Sequence, residues 1–213
     1  MKKKLLMEGN NDVFVAGSAW LRTTGTDAKL DKIFEGVDCK GIGNMPERIK
    51  LEMKSGNEAL GIVIDADTDI AEAWKMAKKV LAEFSVILPD LPPPEGLVSI
   101  DHAIKAGETP ARIGIWVMPN NILPGKIEDF LEMLVPPGDE LLPEVNLALD
   151  TIEQTEKHKY AVPKDRPKAL MHTWLAWQVT PGIPYGQAIT MRYLSTDEQI
   201  CKDFVAWMKR LFL

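Results

Sequence analysis

The chain has 213 residues, of which 46% are hydrophobic and 26% charged, enough for one large domain or for one domain with a C-terminal addition. Its formal net charge of −6 argues against a strongly basic protein that binds nucleic acid without specificity. Its two cysteines, Cys39 and Cys201, have no zinc-binding spacing, and no apolar run is long enough to cross a membrane. We therefore expect reduced thiols, no membrane contact and a cytoplasmic location.

Apolar runs and helical periodicities alternate along the first part of the chain. Strands are predicted at 4–7, 33–39, 59–64 and 112–118, with a short edge strand at 97–100. Helices are predicted from Asn10 onward and at 46–54, 70–84 and 126–134. This alternation predicts an α/β fold, in which a central parallel sheet has helices on both faces.

The character of the sequence changes after Pro136-Pro137-Gly138. Three helices are predicted beyond this point, at 139–158, 167–179 and 196–212, and no strand. We therefore expect an α/β domain over residues 1–138 and a helical C-terminal extension over 139–213 that packs on it.

Carboxylates follow two of the predicted buried strands. Glu8 ends the first strand, and Asp65, Asp67 and Asp69 follow the third. In a parallel sheet these strand ends lie at the same edge, and like charges held close together repel unless a cation lies between them. All-oxygen ligands suit Mg²⁺ or Mn²⁺, so the pattern predicts a metal site that handles phosphate. Each signal alone has a plainer reading, because Glu-Gly after a strand is common and Asp-x-Asp is often a turn or a helix N-cap.

These two motifs carry a family resemblance. Glu8-Gly9-Asn10-Asn11-Asp12 together with Asp65-Ala66-Asp67-Thr68-Asp69 resembles the toprim domain of topoisomerases, bacterial primases, small ribonucleases and the overcoming-lysogenisation-defect (OLD) nucleases. The similarity spans about residues 4–135. The whole chain looks like a standalone bacterial toprim-like family of poorly characterised function, related to OLD-type nucleases. Its further motifs are Pro124-Gly125-Lys126-Ile127-Glu128-Asp129-Phe130-Leu131 and His172-Thr173-Trp174-Leu175-Ala176-Trp177-Gln178.

The resemblance implies a role for each matching acid. The toprim glutamate, a general acid/base or metal ligand, falls on Glu8, and the Asp-x-Asp pair that holds Mg²⁺ falls on Asp65 and Asp67. A third aspartate found in some branches falls on Asp69. A bound metal would make a water nucleophilic near neutral pH. A topoisomerase is not expected, because no breakage-reunion domain is attached and the tyrosines all lie in the predicted helical extension: Tyr160, Tyr185 and Tyr193.

Residues outside the two motifs supply further candidates. OLD-type nucleases carry extra acids, which makes Glu128 the preferred additional metal ligand, followed by Asp129. Alternatively, both carboxylates only stabilise the first turn of a helix through its dipole, by about 0.3–1 kcal/mol. A basic stretch that contains Lys164, Lys168 and His172 is expected to hold substrate phosphates. The alternative is a solvated loop and helix start, with His172 as a packed residue.

Three functions remain open on these residues. The first is Mg²⁺-dependent phosphodiester chemistry on nucleic acid, most simply as a nuclease. The second is a non-catalytic or partner-activated regulatory subunit that works with a separate ATPase, for example in phage defence, since the chain has no phosphate-binding G-x-x-x-x-G-K-[ST] loop. The third, a phosphatase of the haloacid dehalogenase type, is disfavoured because Asp69 replaces the usual Thr or Val and the motif follows the third strand. A homodimer is compatible with all three.

Overall fold

The computed structural model describes residues 2–25, 32–99 and 112–213. Its centre is a five-stranded sheet with the order β2-β1-β3-β5-β4. The strands are β1 (Lys3–Met7), β2 (Glu35–Asp38), β3 (Ala59–Asp65), β4 (Leu97–Ser99) and β5 (Arg112–Met118). All neighbouring strands pair in parallel except β4, which lies antiparallel to β5 at the edge. The predicted α/β class with a mostly parallel sheet is confirmed.

Strand β3 lies in the middle of the sheet and fixes the position of the acidic motif. It pairs with β1, where Leu6 lies opposite Ile62, and with β5, where Asp65 lies opposite Met118. Its residues are buried on both faces, which is why its sequence is a continuous apolar run and not an alternating one. The predicted 33–39 strand is shorter, and position 100 of the predicted edge strand lies outside the described residues.

Eight helices of the described residues cover the two faces of the sheet. They are α1 (Asn10–Thr24), α2 (Met45–Met53), α3 (Ile70–Ala82), α4 (Ile127–Glu132), α5 (Leu141–Gln154), α6 (Arg166–Ala176), α7 (Tyr185–Thr190) and α8 (Gln199–Phe212). Helices α2 and α3 share a core with one face, which includes Ile62 and Ile64. The other six helices share a core with the opposite face, which includes Ala59 and Val63. Helices on both faces are therefore confirmed.

Several predicted helix limits change, and one helix was not predicted at all. A short 3-10 helix (Ile42–Asn44) precedes α2. Helix α5 ends four residues earlier than predicted, and Glu156 just beyond it has a φ of 53°, which a continuing helix does not allow. Helix α7 has only six residues, too few to show a helical period in the sequence.

Helix α8 lies directly on the middle of the sheet. Gly61 of β3 pairs with Gly114 of β5, and both face this helix. A Cβ atom on Gly114 would lie 2.6 Å from Cδ2 of Leu211, and one on Gly61 would lie 3.0 Å from the same atom. The two glycines thus allow the close approach of α8. In the described residues no helix is both long and apolar enough to cross a bilayer.

Candidate functional site

The carboxyl ends of β1 and β3 meet at one edge of the sheet. Glu8 follows the last residue of β1, and Asp65 is the last residue of β3. The Oε1 atom of Glu8 accepts a hydrogen bond from the backbone N–H of Asp65 at 3.3 Å. Acidic residues from two neighbouring strands are therefore side by side in the structure.

These two acids lie in a pocket of about 610 Å³. Its acidic lining residues are Glu8, Asp12, Asp38, Asp65, Asp67 and Glu128. Its basic lining residues are Lys40, Lys126, Lys164 and Lys168. They come from the ends of three parallel strands, from the first turns of α1 and α4, and from α6 with the segment before it. The pocket thus combines concentrated negative charge with a rim of lysines.

Burial and mutual repulsion disfavour the charged forms of the acids at the centre. Burial raises the pKa of Asp65 well above its usual value, and the charge of Glu8 adds to this shift. Burial also raises the pKa of Glu8, although the hydrogen bond from Asp65 opposes it. A site of this kind becomes more favourable when a cation offsets the charge.

Asp12 belongs to the same group, although sequence reasoning did not select it as a site residue. It lies in the first turn of α1, where its Oδ2 atom accepts a hydrogen bond from the backbone N–H of Gly9 at 2.9 Å. Burial raises the pKa of Asp12 to about 6, and the nearby charge of Glu128 contributes. Its position four residues after Glu8, at the start of a helix that follows the strand, was the available signal.

Asp67 has an unusual backbone and a lysine partner. Its φ of 51° is left-handed, which aspartate tolerates better than most residues. Its backbone N–H donates to the carbonyl of Gly125 at 2.9 Å, and its Oδ1 atom pairs with Nζ of Lys126 at 2.9 Å. Burial opposes the charged form of Lys126, but the bond to Asp67 and the charges of Asp67, Asp65 and Glu128 together outweigh burial and raise the pKa of the lysine. Lys126, which sequence reasoning did not select, thus acts as an internal counter-charge.

Glu128 and Asp129, adjacent in the first turn of α4, have different roles. Glu128 is almost fully buried and pairs with Nζ of Lys168 at 3.3 Å, which connects α4 to α6 at the pocket. Asp129 instead accepts a hydrogen bond from the backbone N–H of Lys126 at 2.6 Å and caps the start of α4. Glu128 therefore lines the pocket, whereas Asp129 stabilises the start of a helix, which was the alternative to a role as metal ligand.

Two of the predicted site residues lie outside the pocket lining. The Oδ1 atom of Asp69 accepts a hydrogen bond from the backbone N–H of Ala71 at 2.8 Å, so Asp69 is the N-cap of α3. His172 is exposed on α6, and its ring stacks on Tyr185 with a centroid distance of 5.1 Å. Lys164 and Lys168, by contrast, both line the pocket.

The acids have not come together as a coordination shell. Within residues 2–25, 32–99 and 112–213, no three Asp, Glu, His or Cys side chains are arranged to hold one ion. Glu8 instead accepts a hydrogen bond from the backbone N–H of Asp65, and Asp67 pairs with Lys126. The donor chemistry itself fits a hard cation, because carboxylate oxygens are the ligands that Mg²⁺ and Mn²⁺ prefer. Glu8, Asp65 and Asp67 are the residues that would hold such an ion.

Tyr185 is a third residue near the site that the sequence did not reveal, after Asp12 and Lys126. It is the first residue of α7, only 4% exposed, and its hydroxyl has no hydrogen-bond partner among the described residues. Burial raises the pKa of this hydroxyl, and the charges of Glu128 and Asp12 add to the shift. No periodicity marks so short a helix, so no signal in the sequence indicated this position.

The fold and the pocket together define an α/β protein with an acidic pocket at the carboxyl ends of parallel strands. The chain belongs to the family described as protein of unknown function (DUF3226), whose model matches residues 2–213. Comparisons with curated proteins and with solved structures gave no significant match. The resemblance to toprim domains and OLD-type nucleases stays a prediction.

Proposed function

We propose that this protein carries out Mg²⁺- or Mn²⁺-dependent phosphodiester chemistry on nucleic acid, as a nuclease. The observation that supports this proposal is the meeting of Glu8 and Asp65, from two separate strand ends, in one pocket that Asp67 also lines. Lysines at the same pocket supply the positive charge that a phosphate needs.

Each residue has a distinct part in the proposed chemistry. Asp65 and Asp67 would hold the ion, which when bound offsets phosphate charge and lowers the pKa of a water. Glu8 moves a proton, a role that suits a carboxyl whose pKa burial has raised towards neutral pH. Lys164 and Lys168 bind the phosphate from the rim of the pocket.

A cleavage assay tests this proposal. Purified protein is incubated with single- and double-stranded DNA and RNA in Mg²⁺, in Mn²⁺ and in EDTA. We expect cleavage that requires metal and that falls by about 10²-fold or more in the Asp65→Asn/Asp67→Asn double variant. Asparagine is chosen because it keeps the size of the side chain and tolerates the left-handed backbone of Asp67.

A matched control separates the site from a general loss of negative charge. Asp90 is fully exposed and pairs with Lys78 on the surface, so Asp90→Asn is expected to cleave as the wild type does. Unchanged cleavage in the double variant, or no cleavage of any substrate with either metal, contradicts the proposal.

A further inference from the structure

Helices α1 and α6 both line the acidic pocket, and each carries an aromatic residue one turn beyond it. On α1, Asn10 lines the pocket and Phe14 follows four residues later, one turn along the same face. On α6, Lys168 lines the pocket and His172 follows at the same spacing. Each helix therefore carries a residue of the pocket and, one turn further along, an aromatic ring.

Phe14 and His172 each contact a residue in the first turn of α7. Phe14 is in direct backbone contact with α7, because a Cβ atom on Gly186 would lie 2.9 Å from the carbonyl oxygen of Phe14. The ring of His172 stacks on the neighbouring residue, Tyr185, at an interplanar angle of 29°. We use the name α1–α6 surface for the pocket-lining residues Asn10, Lys164 and Lys168 together with Phe14 and His172, which contact Gly186 and Tyr185.

The exposed groups of this surface are suited to bind one particular class of ligand. The side chain of Phe14 is 58% exposed although it is a large apolar ring, and His172 is exposed as well. Lys168 keeps 60% of its side chain exposed although it pairs with Glu128. Exposed rings that stack bases, next to lysines that contact phosphates, are typical of single-strand binding. A duplex hides the faces of its bases and has nothing to stack on Phe14.

We infer that the substrate is single-stranded nucleic acid, which lies along the α1–α6 surface with bases stacked on Phe14 and His172 and with its backbone directed into the pocket by Lys168. This inference rests on the proposed function, in that it names the substrate class of the same site. The C-terminal helices thereby gain a role in choosing the substrate, while the acids at the sheet edge perform the chemistry.

A binding experiment tests the inference without relying on cleavage. Fluorescence anisotropy is measured with labelled oligonucleotides of about twelve nucleotides, single-stranded DNA or RNA and the matching duplex, in EDTA and in Mg²⁺ on ice. We expect tighter binding of the single strands. Phe14→Ala is expected to weaken it by about 5- to 150-fold, the range for loss of one stacked base. Lys168→Gln is expected to lower the slope of log K against log salt by about 0.7.

Two variants serve as controls for these changes. Trp177 is also an exposed aromatic residue of the C-terminal helices, at 48%, but lies outside the α1–α6 surface, so Trp177→Ala is expected to bind as the wild type does. Lys75 is an exposed lysine on α3, across the sheet from the α1–α6 surface, and Lys75→Gln is expected to leave the salt slope unchanged.

The outcomes separate this inference from the proposed function. Duplex binding at least as tight as single-strand binding, no binding of any probe, or full affinity in Phe14→Ala overturns the inference, even where metal-dependent cleavage that needs Asp65 is observed. Single-strand preference that depends on Phe14, without any cleavage, supports the inference and contradicts the nuclease proposal.

Discussion

At the scale of single residues, the pocket holds acids that folding makes harder to ionise. Asp12 has an unfolded pKa of about 3.9, whereas burial raises its pKa in the folded chain to about 6. The folded state therefore binds protons more tightly than the unfolded state between these values. It follows that the contribution of Asp12 to stability decreases as pH rises from about 4 to 6.

The first prediction concerns this pH dependence. Asp12→Asn keeps an acceptor for the N–H of Gly9 but cannot ionise. We expect the variant to melt a few degrees higher than the wild type at pH 7–8 in EDTA, with the advantage disappearing below about pH 4. Thermal melts across this pH range measure it. Asp90→Asn provides the comparison, and a difference for Asp12→Asn that does not change with pH would contradict the prediction.

The second prediction distinguishes a ligand from a helix cap. Mg²⁺ is expected to raise the free energy of unfolding of the wild type by about 2.7 kcal/mol when its concentration is one hundred times the Kd. The melting temperature of the wild type should rise accordingly. This response should vanish in Asp65→Asn. Asp69→Ala should lower stability by about 0.5–2 kcal/mol through loss of the α3 cap, while the response to Mg²⁺ persists. Loss of the response in Asp69→Ala would return Asp69 to the metal site.

At the scale of elements, the contact of α8 with the sheet depends on the absence of side chains at two positions. Gly114→Ala places a Cβ atom against Leu211, and overpacking of this kind costs about 1–3 kcal/mol. Gly43→Ala is the matched change, because no atom lies within 4 Å of its Cβ position and its φ is not positive. Denaturant melts should show the first variant destabilised and the second within about 0.5 kcal/mol of the wild type. Equal stability of the two variants would contradict this account of α8.

The elements also show where sequence reasoning succeeds. Strand β3 was predictable, because a continuous apolar run is typical of a parallel strand that is buried on both faces. The meeting of Glu8 with Asp65 followed from the rule that parallel strands end at the same edge. Helix α7 and Tyr185 were not predictable, since tertiary packing against α1 holds this short helix in place. The spacing of residues in the sequence does not determine which partner a side chain has, so it could not decide the capping of α3 by Asp69 or the ion pair of Asp67 with Lys126.

At the scale of the whole molecule, one buried core crosses the predicted boundary at residue 138. It joins Leu5 and Val63 of the sheet to Trp174 of α6 and Phe204 of α8. Residues 1–138 made alone would expose one apolar face of the sheet, so we expect no cooperative unfolding transition from this fragment. Calorimetry or denaturant melts monitored by circular dichroism measure it, with the full chain as the reference. A sharp transition from the fragment would support two separate domains.

The covering of Gly61 and Gly114 by Leu211 has a consequence for how the chain reaches its fold. Partners so distant in sequence meet only after a long loop has closed, and the entropy of that closure must be lost before their contact contributes any stability. The high contact order that results favours slow refolding. Before α8 packs on the sheet, the strands expose apolar surface through which chains can aggregate. The refolding yield is therefore expected to fall as protein concentration rises.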